Sequence, residues 1–409
     1  MSTTAPREIG EQAAQVVDRE APGYPIRLEL PLQRPIEPRR SDAPQPPLTV
    51  LIFARDETAV LGETLRRLNG CLGPDDGLHV VADHCSDGTV DLARSCGATV
   101  YERTAPDGLP GKGGALRWWV DRTRGDSHCD RPVVILDADS LPSPGLLDGL
   151  RVEMATGVSA AQAEIRPLVA FPSPVSLLAA YSDVTEQRVF DAWRARLGWP
   201  VRLRGTGMAI QRRPLERAAA RLSTRAEDIE LTVLLGSWGA SIHPAPHAYV
   251  YDPKPPDTQG AIRQRARWLQ GQAGVIRRHP SAVTRLVLRG PAGWSLLESL
   301  FLRPKAFFLP AKAAAAAAAW ALAVTAGSIL YGAVAVLASL WLASDLAGLA
   351  AGLRHMPDMG EALRALAAWP LYVGVWVRSL FLSAVSRDPW LRSRAPTSRT
   401  AAPRGEDGR

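Results

Sequence analysis

The chain has 409 residues, a formal net charge of +7 and a pI of about 9.5. That length exceeds one ordinary domain and allows a sizeable core plus a second element. The excess of positive charge, carried almost wholly by Arg, is compatible with nucleic acid, anionic lipid or a GC-rich coding sequence, and charge alone excludes none of them.

Residues 1–47 are rich in Pro, Arg, Gln and Glu and close on PLQRPIEPRRSDAPQPP, too polar to bury a core of their own, so a disordered tail is expected. MSTTAPREIGEQ lacks a basic stretch followed by an apolar one, so no secretory signal is expected and the segment before Leu48 is expected in the cytosol. From Leu48 the pattern becomes short apolar runs alternating with helical stretches. LTVLIFA precedes a helix near 57–69, LHVVAD one over 89–96, ATVYE one over 114–122, and PVVILD one over 144–156. Such alternation predicts an α/β fold with a parallel sheet covered by helices. Cys71, Cys85, Cys96 and Cys129 form no CxxC pair and no zinc-like pairing with His, which argues for reduced thiols and against a disulfide framework.

The second half differs in kind. Between Phe307 and Ser344 the only charge is Lys312, and roughly 20 apolar residues suffice to span a bilayer core. One long tilted helix or a hairpin turning near Gly327 and Ser328 accounts for the length. Residues 276–306 mix Leu, Phe, Trp and Arg as interfacial helices do. The stretch 363–386 is apolar but carries Pro370 and Arg378, so it either crosses the membrane or lies in its interface. The Arg-rich tail 387–409 is expected in the cytosol, which makes the number of crossings even.

In parallel α/β sheets ligands gather beyond the carboxyl ends of the strands. Acidic residues follow the apolar runs here: Asp56 and Glu57 after the first, Asp83 after the second, Asp137 and Asp139 in VVILDADS. Carboxylates set close together repel one another unless a hard cation sits between them, so the DADS pair reads as a metal site. LPGKGGAL, residues 109–116, offers Gly-freed backbone and the charge of Lys112 to a phosphate, although it is not a Walker A loop. His243 and His247, set among prolines in HPAPH, read as structural.

Seven stretches in fixed order carry a resemblance. ARDE (54–57), VVADHCSDGT (80–89), GKGGAL (111–116), DADS (137–140), RGTGMAI (204–210), AEDIELT (226–232) and QRARW (264–268) precede the apolar helices. In this the chain resembles inverting family 2 glycosyltransferases with the GT-A fold, a Rossmann-like nucleotide-diphospho-sugar transferase domain. It is most similar to their membrane-bound branch of cellulose, hyaluronan and chitin synthases. The motifs place the GT-A domain at 48–275, ahead of interfacial helices over 276–306 and membrane helices over 307–386.

The resemblance implies roles. Glu57 and Asp83 would contact the base and ribose of a nucleotide sugar, with Lys112 and Asp137 beside the same nucleotide. Asp139 would hold Mg or Mn on the diphosphate, and Asp228 would be the catalytic base. Gly205, Thr206, Gly207 and Glu227 would lie at the acceptor and diphosphate side, as would Gln264, Arg267 and Trp268 of QxxRW. Inverting transfer needs a carboxylate opposite the leaving diphosphate and no covalent intermediate, so no Ser-His-Asp constellation is expected.

The resemblance thus implies a cytosol-facing enzyme of the inner cell membrane, multi-pass. It would move a sugar, from UDP or a similar carrier, to a polysaccharide or lipid-linked acceptor in exopolysaccharide or envelope glycan synthesis. Membrane lipids and polysaccharide-export proteins are the expected partners, and nucleic acid is not. Single-sugar transfer to a lipid, as by ceramide or polyprenyl-phosphate glycosyltransferases, is the alternative, and a non-catalytic nucleotide-binding subunit a remote one. Three departures stand out: Asp56 where many relatives have Asn, Ala226 where processive synthases have Thr, and fewer membrane helices than a cellulose-synthase channel uses.

Overall fold

The computed structural model describes residues 45–104, 109–126, 130–168, 173–253, 258–303, 305–356 and 359–386. The tails expected over 1–47 and 387–409 therefore lie outside the described residues, apart from 45–47, and so does Cys129. The first half is the expected alternation: β1 Thr49–Ala54, α1 Thr58–Asn69, β2 Gly77–Asp83, α2 Thr89–Ser95, β3 Thr99–Arg103, α3 Lys112–Arg122 and β4 Val133–Asp137. Side chains alternate across a strand, so Val50 and Ile52 of β1 enter one core while Leu51 enters the other. α1 and its neighbours cover the first face, and α3 with Leu116 and Trp119 covers the second. A strand clothed on both faces can be apolar along its whole length, which is why these runs are legible.

Next come β5 Leu141–Pro142, α4 Leu146–Ala155, β6 Ala160–Leu168, α5 Pro174–Thr185 and α6 Ala192–Arg196. After them follow β7 Met208–Ile210, α7 Arg212–Ala219, α8 Glu227–Ser237 and β8 Ile242–Pro253. The sheet runs β3-β2-β1-β4-β7-β6-β8-β5. Its first four strands are mutually parallel, but β7 lies antiparallel to both β4 and β6, so the sheet is mixed rather than parallel throughout. RGTGMAI accordingly enters a strand and not a helix. A π-helical turn, Glu186–Asp191, joins α5 to α6 and turns Glu186 and Asp191 inward, each 2.8 Å from Nη1 of the buried Arg194.

The chain finishes in helices: α9 Thr258–Arg278, α10 Pro280–Leu288, α11 Pro291–Phe301, α12 Lys305–Ala326, α13 Ile329–Leu353, α14 Met359–Ala367 and α15 Trp369–Val385. Leu286, Leu296 and Leu300 of α10 and α11 are buried with Ile229 and Val233 of α8. Two helices, Phe307–Ala326 and Ile329–Leu353, are long and apolar enough to cross a membrane. They form the hairpin, and the break falls at Gly327, whose φ of +58° suits glycine. Trp320 Nε1 donates to Ser339 Oγ across it at 3.0 Å.

The base of the hairpin is seated on the α/β domain through small residues. A Cβ on Gly348 would meet the Phe190 ring at 2.2 Å, and one on Gly352 would meet Thr185 Oγ1, while the Tyr181 hydroxyl donates to the Leu349 carbonyl. Gly348→Leu must push α13 away from the π-helical turn that carries Phe190. Overpacking of this kind costs about 1–3 kcal/mol, and the expected result is a lowered unfolding temperature and faster proteolysis between the domain and the hairpin. An unchanged melt would show that this contact contributes nothing.

Candidate functional site

The site forms where strand ends, a glycine turn and a helix start converge. β4 ends on Asp137, and the next turn places Asp139 half-buried and Ser140 fully buried. Ser140 Oγ lies 2.7 Å from Thr206 Oγ1, and that hydroxyl also accepts from the Asp137 backbone N–H at 3.2 Å. Thr206 thereby clamps DADS to the GTG turn. Gly205 and Gly207 adopt φ of +87° and +64°, a region costly for residues with a Cβ. Gln162 of β6 holds the turn from beneath, donating to the Thr206 carbonyl at 2.9 Å and accepting from the Arg204 N–H at 2.8 Å.

Lys112, the first residue of α3, reaches into this junction. Its Nζ donates to Asp137 Oδ1 and to the Gly205 carbonyl, both at 2.6 Å, and stands 3.4 Å from Glu227 Oε1. Burial opposes its charge, yet Asp137, Glu227 and Asp228 together outweigh burial and hold the ammonium above its ordinary range. Glu227 and Asp228 open α8. Burial raises both carboxyls, and Lys112 only partly offsets it; Glu227 is pushed up to about 7. Asp228 packs beneath the GTG turn: a Cβ on Gly205 would lie 3.8 Å from its Oδ2.

The shift of Glu227 has a sign that can be checked. A carboxyl that holds its proton more tightly when folded loses stability as pH rises from its unfolded value, near 4.5, to about 7, and the full cost remains above that. Glu227→Gln removes the charge, so it should flatten the fall in unfolding temperature between about pH 5 and pH 8. A variant less stable than wild type at pH 8 would contradict this.

The remaining expected residues divide. Asp83 ends β2, buried, with Arg103 Nη1 at 3.1 Å and His84 Nδ1 at 2.8 Å. Glu57 precedes α1, its N–H donating to Thr89 Oγ1 at 2.9 Å. On α9, Gln264 and Trp268 lie one turn apart and line, with Asp228, a cleft of about 160 Å³. Arg267 is exposed and does not line that cleft, whereas Arg265, which is 4% exposed, does. Sequence reasoning missed Arg202, Arg265 and Tyr372 on the cleft wall. Nothing local marks Arg265 and Tyr372, because α15 folding back onto α9 brings them together, with Tyr372 and Trp376 under the Arg265 guanidinium at 5.3 and 5.4 Å.

Two donor sets could be weighed for a cation. Asp56, Cys85 and Asp87 bring one ligand atom each within 4.8 Å of one another. Their oxygens are committed to loop hydrogen bonds, Asp56 Oδ1 from the Ser86 N–H at 2.7 Å and Asp87 Oδ1 from the Thr89 N–H at 2.9 Å, and burial raises the Cys85 thiol. A thiol held protonated suits a hard cation poorly. The all-oxygen pair Asp137 and Asp139 suits it better. Lys112 already takes Asp137 Oδ1 within that pair.

A family model described as "Glycosyltransferase like family 2" matches residues 44–271, more than half of the chain. The chain belongs to this family. The mixed sheet with its DADS edge is accordingly a GT-A-type α/β fold, followed by two apolar helices. The probable glycosyltransferase YdaM of Bacillus subtilis (strain 168) is 26% identical over 245 residues, which cover 56% of this chain and 56% of YdaM. The chain thus spans little more than half the length of that curated relative. Similar solved structures include a mannosyltransferase from Pyrobaculum calidifontis in complex with GDP-Man and Mn2+, 19% identical, covering 94% of this chain and 95% of that one at a TM-score of 0.49. Another is glucosyl-3-phosphoglycerate synthase from Mycobacterium tuberculosis in complex with Mn2+, UDP and glucosyl-3-phosphoglycerate, 22% identical, covering 57% of this chain and 80% of that one at a TM-score of 0.39.

Proposed function

We propose that this protein is a membrane-anchored, inverting glycosyltransferase that moves a sugar from a nucleoside-diphosphate donor, a UDP-sugar, to a polysaccharide or lipid-linked acceptor on the cytosolic face of the membrane. The observation that carries the reading is Lys112, whose ammonium meets the DADS edge, the GTG turn and the start of α8 at one point, with Asp228 adjoining. That arrangement gives a diphosphate a fixed cation and gives the acceptor side a carboxylate made more basic by burial.

In this reading Glu57 and Asp83 hold the nucleoside, Lys112 and Asp137 the nucleotide phosphates, and Asp139 an Mg or Mn ion. When bound, that ion offsets the charge gathering on the leaving diphosphate. Gly205, Thr206 and Gly207 shape the sugar's acceptor side with Glu227, and Gln264 and Trp268 line the acceptor's approach. Arg267, exposed on α9, has the least support among the expected residues. The full chain in detergent, offered a panel of nucleotide sugars, should release nucleoside diphosphate only with Mg or Mn. Chelation and Asp139→Ala should each abolish the release, and turnover that survives both would overturn the site. Transfer of a single sugar to a lipid, the alternative, is favoured by one observation, an apolar cavity beside the cleft.

A further inference from the structure

Two cavities adjoin along α5 and α15. The cleft that contains Asp228 is walled by Gln264, Trp268 and four arginines, Arg202, Arg204, Arg265 and Arg303, with Asp183 and Asp252 also on its wall. The second encloses about 330 Å³ and is lined by Leu178, Phe190, Leu309, Leu349, Leu366 and Trp369, together with Tyr181 and the buried Glu186 and Lys305. Ser182 and Tyr372 belong to both walls. Leu309 and Leu349 come from the two helices long and apolar enough to enter a membrane, so the apolar cavity is built jointly by the GT-A domain and those helices. Its size falls at the lower end for small-molecule sites, and its lining is mostly hydrophobic, with Thr185, Glu186 and Lys305 among its polar groups.

The cleft has the opposite character. Arg265 is 4% exposed, and its Nε finds no hydrogen-bond partner among the described residues; the same holds for Nε of Arg202. A buried guanidinium N–H is costly without an acceptor, and an oxyanion bound in this cleft would supply one. Lys112, Asp137 and Asp139 do not line this cleft, so its wall is distinct from the proposed contacts to the donor phosphates.

We propose that the acceptor is an amphiphile: an apolar chain lodged in the cavity between α5, α12 and α13, and a head in the cleft that carries an oxyanion for Arg202 and Arg265 and a hydroxyl for Asp228. This rests on the reading of the site as a sugar transferase. In the transfer the hydroxyl oxygen bonds to the anomeric carbon and its proton passes to Asp228. The bond from that carbon to the diphosphate breaks, and the electron pair leaves with the nucleoside diphosphate. The chain is either acyl or isoprenyl in origin, and both present the same chemistry to these walls.

Photoreactive dodecyl phosphate, farnesyl phosphate and dodecanol, each carrying a diazirine on the chain, test the proposal on the full chain in lipid nanodiscs. The expected label falls on peptides containing Leu178, Leu309 and Leu349, and the phosphates label about tenfold more than the alcohol. The stronger of the two phosphates names the chain type. Leu178→Trp and Leu309→Trp fill the cavity from opposite walls, and either one that folds should lose the label; Arg202→Gln should remove the preference for phosphate. Label confined to the exposed Val324 and Leu330 of the hairpin, or unchanged in a folded filled variant, overturns the proposal. Stabilisation of the same preparation by nucleotide sugar with Mn is scored separately: its absence defeats the transferase reading, whereas its presence without cavity label defeats only this one.

Discussion

Asp228→Asn is expected to lower kcat by about 10²–10⁴-fold, the range by which a positioned proton acceptor accelerates transfer, with little change in donor affinity. The substitution keeps the shape of the side chain and the start of α8, so the fold should survive. What it removes is the carboxylate that borders both the GTG turn and the cleft. Burial raises Asp228, and Asp137 adds to the rise while Lys112 opposes it. The group must be ionised to accept a proton, so wild-type kcat should climb on the acid side of its profile with an apparent pKa above the usual Asp range. Because Glu227 titrates beside it, that limb belongs to the pair. Asp228→Asn should erase the limb as well as the rate. A variant that keeps the wild-type rate and profile would place the base elsewhere. Nucleotide-sugar binding, read as a shift in unfolding temperature, distinguishes lost chemistry from lost donor.

The strands β1 to β4 and the position of DADS were legible because a doubly covered strand writes its burial into consecutive residues and then stops at charge. The direction of β7 was not. It has three residues, follows two glycines, and pairs antiparallel with β4 only because the chain has first travelled through α5 and α6, a path that no local pattern encodes. The glycines themselves pointed to a turn, and their positive φ explains them, but the hydroxyl of Thr206 joining that turn to DADS depends on strand order. On α9, a period of 3.6 brings Gln264 and Trp268 to one face, yet whether Arg265 or Arg267 turns inward is decided by α15, whose aromatic residues receive Arg265. The hairpin was one of two readings of the same composition. Gly327 settles it through backbone conformation, a property shared by many glycines that end no helix.

Asp345→Ala is expected to be the most destabilising single change outside the GT-A core. Asp345 is 1% exposed on α13 and receives Lys312 Nζ at 2.5 Å and Lys305 Nζ at 2.7 Å. Both lysines also reach Glu298 Oε1 of α11, at 2.8 and 3.1 Å, and the Trp341 indole donates to the same oxygen at 3.1 Å. The four charges sum to zero and tie α11, α12 and α13 together. α12 is largely alanine and offers short side chains to pack. Without Asp345 two buried ammoniums share one carboxylate. Leaving a buried charge uncompensated typically costs about 3–5 kcal/mol. Removing charge in pairs has a different consequence, because two desolvation penalties disappear together. Lys312→Met combined with Asp345→Leu should therefore recover most of the lost unfolding temperature, and a double-mutant cycle in detergent reads the coupling directly. If the double variant is no more stable than Asp345→Ala, the cluster acts through the specific geometry of its hydrogen bonds. If the single variant melts like wild type, the hairpin is held by Gly348 and Gly352 against Phe190 and Thr185, and the charges are incidental to it.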